Sequence, residues 1–131
     1  MRPRILLIDD DPSVLRTLEI VLLDLGYEVQ TAQDGERGLR QFRASRPDLV
    51  VTDILMPNKE GIETIIEMRR LRAEAKIIAM SGGGPINKQN LLTMAAKLGA
   101  DRILPKPLDR DQFAELVESL VGPGSPHLAG V

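Results

Sequence analysis

The stretch PDLVVTDILMPNKEG (Pro47–Gly61) decides the fold. Pro47 punctuates the chain, and Asp48–Thr52 is a short run rich in Val and Leu, which reads as a strand buried on both faces. Asp53 follows at the carboxyl end of that run. Met56–Gly61 then supplies the Pro, Asn and Gly of a turn. Ile62, Ile65, Ile66 and Met68 open a helical pattern behind it. Strand, acid, turn and helix make one βα unit.

The same unit recurs on both sides. Arg4–Ile8 reads as a buried strand, followed by Val14, Leu15, Leu18, Val21, Leu22 and Leu25 at helical spacing. Asp11 caps that helix, Pro12 lies in its first turn and Gly26 ends it. Tyr27–Ala32 is a weaker strand, and Asp34 caps a helix running to about Ala44. After the central unit, Lys76–Met80 is a fourth strand and Ser81–Pro85 (SGGGP) a loop. A fourth helix is expected over Asn87–Leu98, closed by Gly99. Arg102–Leu104 is a short fifth strand, and Asp109 caps a last helix carrying Phe113, Leu116, Val117 and Leu120. Residues 1–121 therefore read as one domain, and GPGSPHLAGV (residues 122–131) as a flexible tail.

This alternation predicts an α/β fold: a doubly wound, flavodoxin-like (βα)5 arrangement with a five-stranded parallel sheet in the order 2-1-3-4-5 and helices on both faces. In that order ligands sit at the carboxyl ends of strands one and three. Asp9 and Asp10 follow strand one, Asp53 strand three, Ser81 strand four and Lys106 strand five. All of them converge on one sheet edge. Carboxylates packed closely repel unless a cation intervenes. Mg2+ suits a site with one or two carboxylates, water and a phosphate. Asp53 can then serve as a carboxylate nucleophile that forms an aspartyl-phosphate, with Lys106 as a second positive charge and Ser81 as a hydrogen-bond donor.

Four segments, ILLIDDDPSV (Ile5–Val14), PDLVVTDILMPNKEG (Pro47–Gly61), IIAMSG (Ile77–Gly82) and GADRILPKPL (Gly99–Leu108), resemble the signature segments of response-regulator receiver domains. The resemblance spans roughly residues 4–121. It implies that Asp53 is the phosphoacceptor, that Asp10 binds Mg2+ directly and Asp9 largely through water, and that the Leu55 carbonyl is a further ligand. It also implies that Ser81 moves to meet the phosphate, that Lys106 pairs with it, and that the Lys106–Pro107 bond is cis. Met56, Pro57 and Gly61 match the turn that frames the acceptor. The implied partners are a histidine kinase or phosphotransfer protein and a downstream protein target, with a homodimer as one consequence of phosphorylation. Two departures stand out. Where such domains carry Tyr or Phe three residues before the lysine, this chain has Ile103. The stretch GGGPINKQ after Ser81 is also a few residues longer than in chemotaxis-type regulators. The switch is therefore expected to work through that loop and the fourth helix rather than through a rotating ring.

Two other readings stay open. A phosphate-independent interaction module has only Ile103 in its favour. A small Mg2+-dependent phosphohydrolase would want an acid two residues after Asp53, where Leu55 stands. The chain is not expected to turn over an external substrate. Plain structural readings suffice elsewhere: Asp11 is a cap, Met80 and Met94 fill the core, Gly82–Gly84 form a loop, and His127 sits in the tail. SGGGP lacks the GxxxxGK[ST] pattern of a nucleotide-binding loop.

Composition agrees. The 131 residues are 43% hydrophobic and 27% charged, enough for one aliphatic core with an aromatic share of only 2%. The 17 basic and 19 acidic residues leave a net charge of −2, with no basic excess for nucleic acid or an anionic membrane. The absence of cysteine excludes disulfides and thiol chemistry. The apolar run Ile5–Ile8 is too short for a secretory or spanning segment, so a cytoplasmic protein is expected. No output domain is visible; the chain reads either as a single-domain regulator or as part of a longer protein.

Overall fold

A computed structural model describes residues 2–54, 60–81, 97 and 99–125. The elements in chain order are β1 (Arg4–Ile8), α1 (Pro12–Asp24), β2 (Glu28–Ala32), α2 (Gly35–Ser45), β3 (Leu49–Asp53), α3 (Glu60–Leu71), β4 (Lys76–Ser81), β5 (Arg102–Pro105) and α4 (Arg110–Val121). Every strand pairing is parallel, and the sheet order is β2-β1-β3-β4-β5, as the sequence implied. The helix expected over Asn87–Leu98 lies outside the described residues, apart from Lys97. So do Gly82–Pro85, Leu55, Met56, Pro57, Met94 and His127.

Strand alternation sorts the core into two layers. Ile5, Leu7, Leu49, Val51, Ile78, Met80 and Leu104 face Leu15, Leu18 and Leu22 of α1 and Phe113 and Val117 of α4. Leu6, Ile8, Val50, Ile77 and Ala79 face Phe42 of α2 and Ile65 and Met68 of α3. Burial on both faces explains why the central strands read as unbroken apolar runs rather than alternating ones. The expected caps form: Asp11, Asp34 and Asp109 each accept a backbone N–H from the first turn of α1, α2 and α4.

Strand ends differ from expectation by a residue. Asp53 and Ser81 are the last residues of β3 and β4 rather than the residues after them. The ladder continues one step past the apolar run, with Asp53 opposite Met80 and the Ile54 N–H donating to the Met80 carbonyl (3.0 Å). Tyr27 drops out of β2 because its N–H goes back to the Leu22 carbonyl (3.1 Å). Among the described residues no helix is long and apolar enough to cross a membrane.

Candidate functional site

At the carboxyl edge of the sheet, β1 leads to α1 and β2 on one side while β3 lies on its other side, which makes the β1/β3 boundary the switch point. Asp9 and Asp10 leave β1 there, and Asp53 ends β3 beside them. One carboxylate oxygen from each of Asp9, Asp10 and Asp53 lies within 4.8 Å of the others. Asp9 is fully buried and Asp53 nearly so (0% and 5% exposed), whereas Asp10 is exposed.

Lys106 enters from the far side. Its N–H donates to the carbonyl of Ser81 (2.8 Å), which ties the residue after β5 to the end of β4. From there its Nζ reaches Asp9 Oδ2 at 2.6 Å and Asp53 Oδ2 at 2.9 Å. The Lys106–Pro107 bond is cis, as the resemblance implied. Ser81 is buried at the end of β4, next to the strand that carries Asp53. The structure thus gathers Asp9, Asp10, Asp53, Ser81 and Lys106 at one edge; Leu55 lies outside the described residues. Sequence reasoning took Asp11 only as a cap. Its N–H also donates to Asp9 Oδ1 (2.9 Å), so the start of α1 is bonded to the buried acid. No spacing rule signals that contact.

The electrostatics follow from burial. Desolvation pushes the Asp9 carboxyl above the ordinary value of 3.8, partly offset by the Lys106 and Asp11 hydrogen bonds. Burial by itself would lower the Lys106 ammonium. The hydrogen bonds and charges of Asp9 and Asp53 outweigh it and hold the group above 10.5. Lys106 therefore stands in this site as the cation that keeps two buried carboxylates tolerable. The oxygen donors fit a hard divalent ion as well: carboxylates from three residues converge on one point with a solvent-facing side at Asp10.

α3 starts directly under the acceptor. A Cβ on Gly61 would stand 2.2 Å from the Asp53 carbonyl oxygen and 2.8 Å from the Ile54 Cα. At Gly38 the obstructing atom is only the tip of the Ile8 side chain, at 2.4 Å. Backbone cannot step aside as a side-chain end can. Gly61→Ala is therefore expected to cost about 2–3 kcal/mol, more than Gly38→Ala. Urea midpoints of the two variants check this; equal losses would show that the close approach at Asp53 is not rigid.

Comparison with known proteins gives a consistent picture. Residues 5–118 match the family described as response regulator receiver domain. Chemotaxis protein CheY of Treponema pallidum (strain Nichols) is 36% identical over 121 residues, covering 90% of this chain and 82% of that protein. Transcriptional regulatory protein GlrR of Escherichia coli (strain K12) is 30% identical over 122 residues, 93% of this chain. The chain spans only 27% of the length of that regulator. Among solved structures, response regulator protein TrrA of Thermotoga maritima, in complex with Mg2+-BeF, is 33% identical with a TM-score of 0.78 and covers 91% of this chain and 99% of that one.

Proposed function

The chain belongs to the response regulator receiver domain family, and from that premise we propose that it is a signalling switch in which Asp53 accepts a phosphoryl group and the change is relayed by protein contact. One observation carries this reading. Lys106 Nζ bridges Asp9 and Asp53 at 2.6 and 2.9 Å, with Asp10 beside them, at the switch point of the sheet. Two buried carboxylates and a lysine gathered at one point carry a desolvation cost that an apolar edge would avoid, and charge clusters of this kind in a crevice are characteristic of functional sites.

In the proposed step, an Asp53 carboxylate oxygen attacks the phosphorus of a phosphohistidine on a histidine kinase or phosphotransfer protein. A P–O bond forms on Asp53, the donor P–N bond breaks, and its electron pair leaves with the imidazole. Lys106 exchanges its bond to Asp53 for one to a phosphoryl oxygen and keeps its bond to Asp9. The Ser81 hydroxyl donates to another phosphoryl oxygen. Asp9, Asp10 and Asp53, with the Leu55 carbonyl, would hold Mg2+. When bound, Mg2+ supplies positive charge to offset that of the incoming phosphoryl group. Downstream, the reading calls for a protein target, with self-association on phosphorylation as one form of output. That TrrA was crystallised with Mg2+-BeF supports the same chemistry here.

Ile103 is half-buried and packs against the α2–α3 layer. That placement favours a readout without a ring and is the one feature that suits a phosphate-independent module. The ion separates the readings. Asp10→Ala is expected to weaken Mg2+ binding by at least about tenfold, because an exposed direct ligand is lost while the buried pair is untouched. Calorimetric titration with Mg2+ alone measures it. Unchanged affinity would remove Asp10 from the ion site and weaken the switch reading.

A further inference from the structure

The chain beyond α4 does not leave the fold at once. Gly122 ends the helix at φ +82°, its N–H bonded to the Glu118 carbonyl (2.8 Å). The buried Tyr27 hydroxyl donates to the Gly122 carbonyl (2.8 Å), and the Ser125 N–H donates to the Gly26 carbonyl (3.0 Å). Gly124 lies so close to the turn after α1 that a Cβ there would stand 2.3 Å from the Leu25 carbonyl oxygen and 2.9 Å from the Gly26 carbonyl carbon. Residues 122–125 are thus seated on residues 25–27 by hydrogen bonds at both ends and a contact that only glycine permits between them.

The consequence lies in what these bonds connect. Tyr27 and Gly26 follow α1, whose other end is capped by Asp11, whose N–H is bonded to Asp9. Gly122 ends α4, whose other end is capped by Asp109, three residues after Lys106. Asp9 and Lys106 are themselves in contact. A closed circuit therefore runs from Lys106 through α4, across residues 122–125, back along α1 to Asp9 and to Lys106 again. Contiguous packed and hydrogen-bonded elements of this kind are the physical route by which two distant sites can be coupled.

We propose that Gly122–Ser125 is a strap that closes this circuit and is thermodynamically coupled to the Asp9–Asp53–Lys106 site. The strap makes no contact with the site, so its residues act by positioning. The inference rests on the phosphoryl-switch reading for its ligand. Coupling is reciprocal: whatever factor strap closure adds to affinity at the site, occupancy of the site adds to strap closure.

The test uses the full chain with Mg2+ and beryllofluoride as the probe. Hydrogen exchange at the Ser125 amide reports strap closure, and a titration reports affinity. In the wild type, saturation with the probe is expected to slow Ser125 exchange by roughly 3–10-fold. Gly124→Val is expected to lose that protection and to bind the probe more weakly by the same factor. Tyr27→Phe, which keeps the ring and loses the hydroxyl, should move both readouts the same way by less; it decides the matter if Gly124→Val does not fold. Phe42→Ala in the opposite layer, a strongly destabilising core truncation, should leave affinity unchanged, which separates coupling from general loss of stability. An unprotected Ser125 amide in the wild type would overturn the strap. Unchanged affinity in a strap-open variant would overturn the coupling while leaving the switch reading intact. A wild type that ignores the probe would instead sink the switch reading, and the coupling with it.

Discussion

Lys106→Met is expected to destabilise the ion-free protein by about 3 kcal/mol at pH 8 and by less as pH falls toward 3.8. The lysine side chain is 20% exposed and the Asp9 side chain 0%. Removing the ammonium leaves Asp9 and Asp53 as buried carboxylates without their cation, and met by methionine such a pair is a liability. The pH dependence has a definite sign. Asp9 is an acid held above 3.8 by burial, so the folded state keeps its proton over a window that opens at that value. Stability from that proton is full below 3.8 and is lost as pH rises through the folded value. In the wild type Lys106 offsets the loss; its own contribution is full below 10.5 and fades only as pH climbs past its raised value. The variant has no such offset. The gap between the two urea-unfolding curves should therefore be small near pH 3.8 and widen as pH rises through the folded Asp9 value, without Mg2+. A gap that stays constant across that rise would show that Lys106 does not neutralise Asp9 in solution.

How much of this could be read from the residues depends on which force sets each feature. The three central strands were legible because parallel strands covered on both faces must be apolar throughout, as Ile5–Ile8 and Leu49–Val51 are, while the edge strands β2 and β5 gave weaker runs. The strand ends were less legible. Whether Asp53 and Ser81 belong to the ladder is decided by backbone hydrogen bonds, which hydropathy does not report. The gathering of Asp9, Asp10, Asp53, Ser81 and Lys106 followed from topology alone, since residues at the carboxyl ends of parallel strands share an edge. Their pairing did not follow. That Lys106 lies closer to Asp9 than to Asp53 depends on where β5 and the Ser81 carbonyl put its backbone.

Arginine contacts were hidden for the same reason. Nothing in the sequence singles out Arg69 at the end of α3, and its guanidinium donates to the carbonyls of Ala73 and Ala75 (2.6 Å each) and Gly99 (2.5 Å) and to Asp101 (3.1 Å). It ties α3 to the segment entering β5. Likewise the composition of Gly122–Ser125 signals backbone freedom only; the bonds to Gly26 and Tyr27 arise from where α1 and α4 end.

The second large effect concerns the acceptor itself. Asp53→Ala is expected to lower phosphoryl incorporation by more than about 100-fold, because the nucleophile is removed and no other carboxylate can replace it. Asp9 is fully buried and bonded to both Lys106 and the Asp11 N–H. Asp10 is exposed, and among the described residues no lysine bridges it to a second carboxylate, in contrast to Asp53. The variant should fold at least as well as the wild type, since it relieves carboxylate repulsion, so loss of signal will not reflect loss of structure. Intact-mass analysis after incubation with acetyl phosphate and Mg2+, on wild type and Asp53→Ala side by side, is the most direct test. A single phosphoryl adduct that needs Mg2+ is expected on the wild type, and none on the variant. An adduct that persists on Asp53→Ala would contradict that expectation.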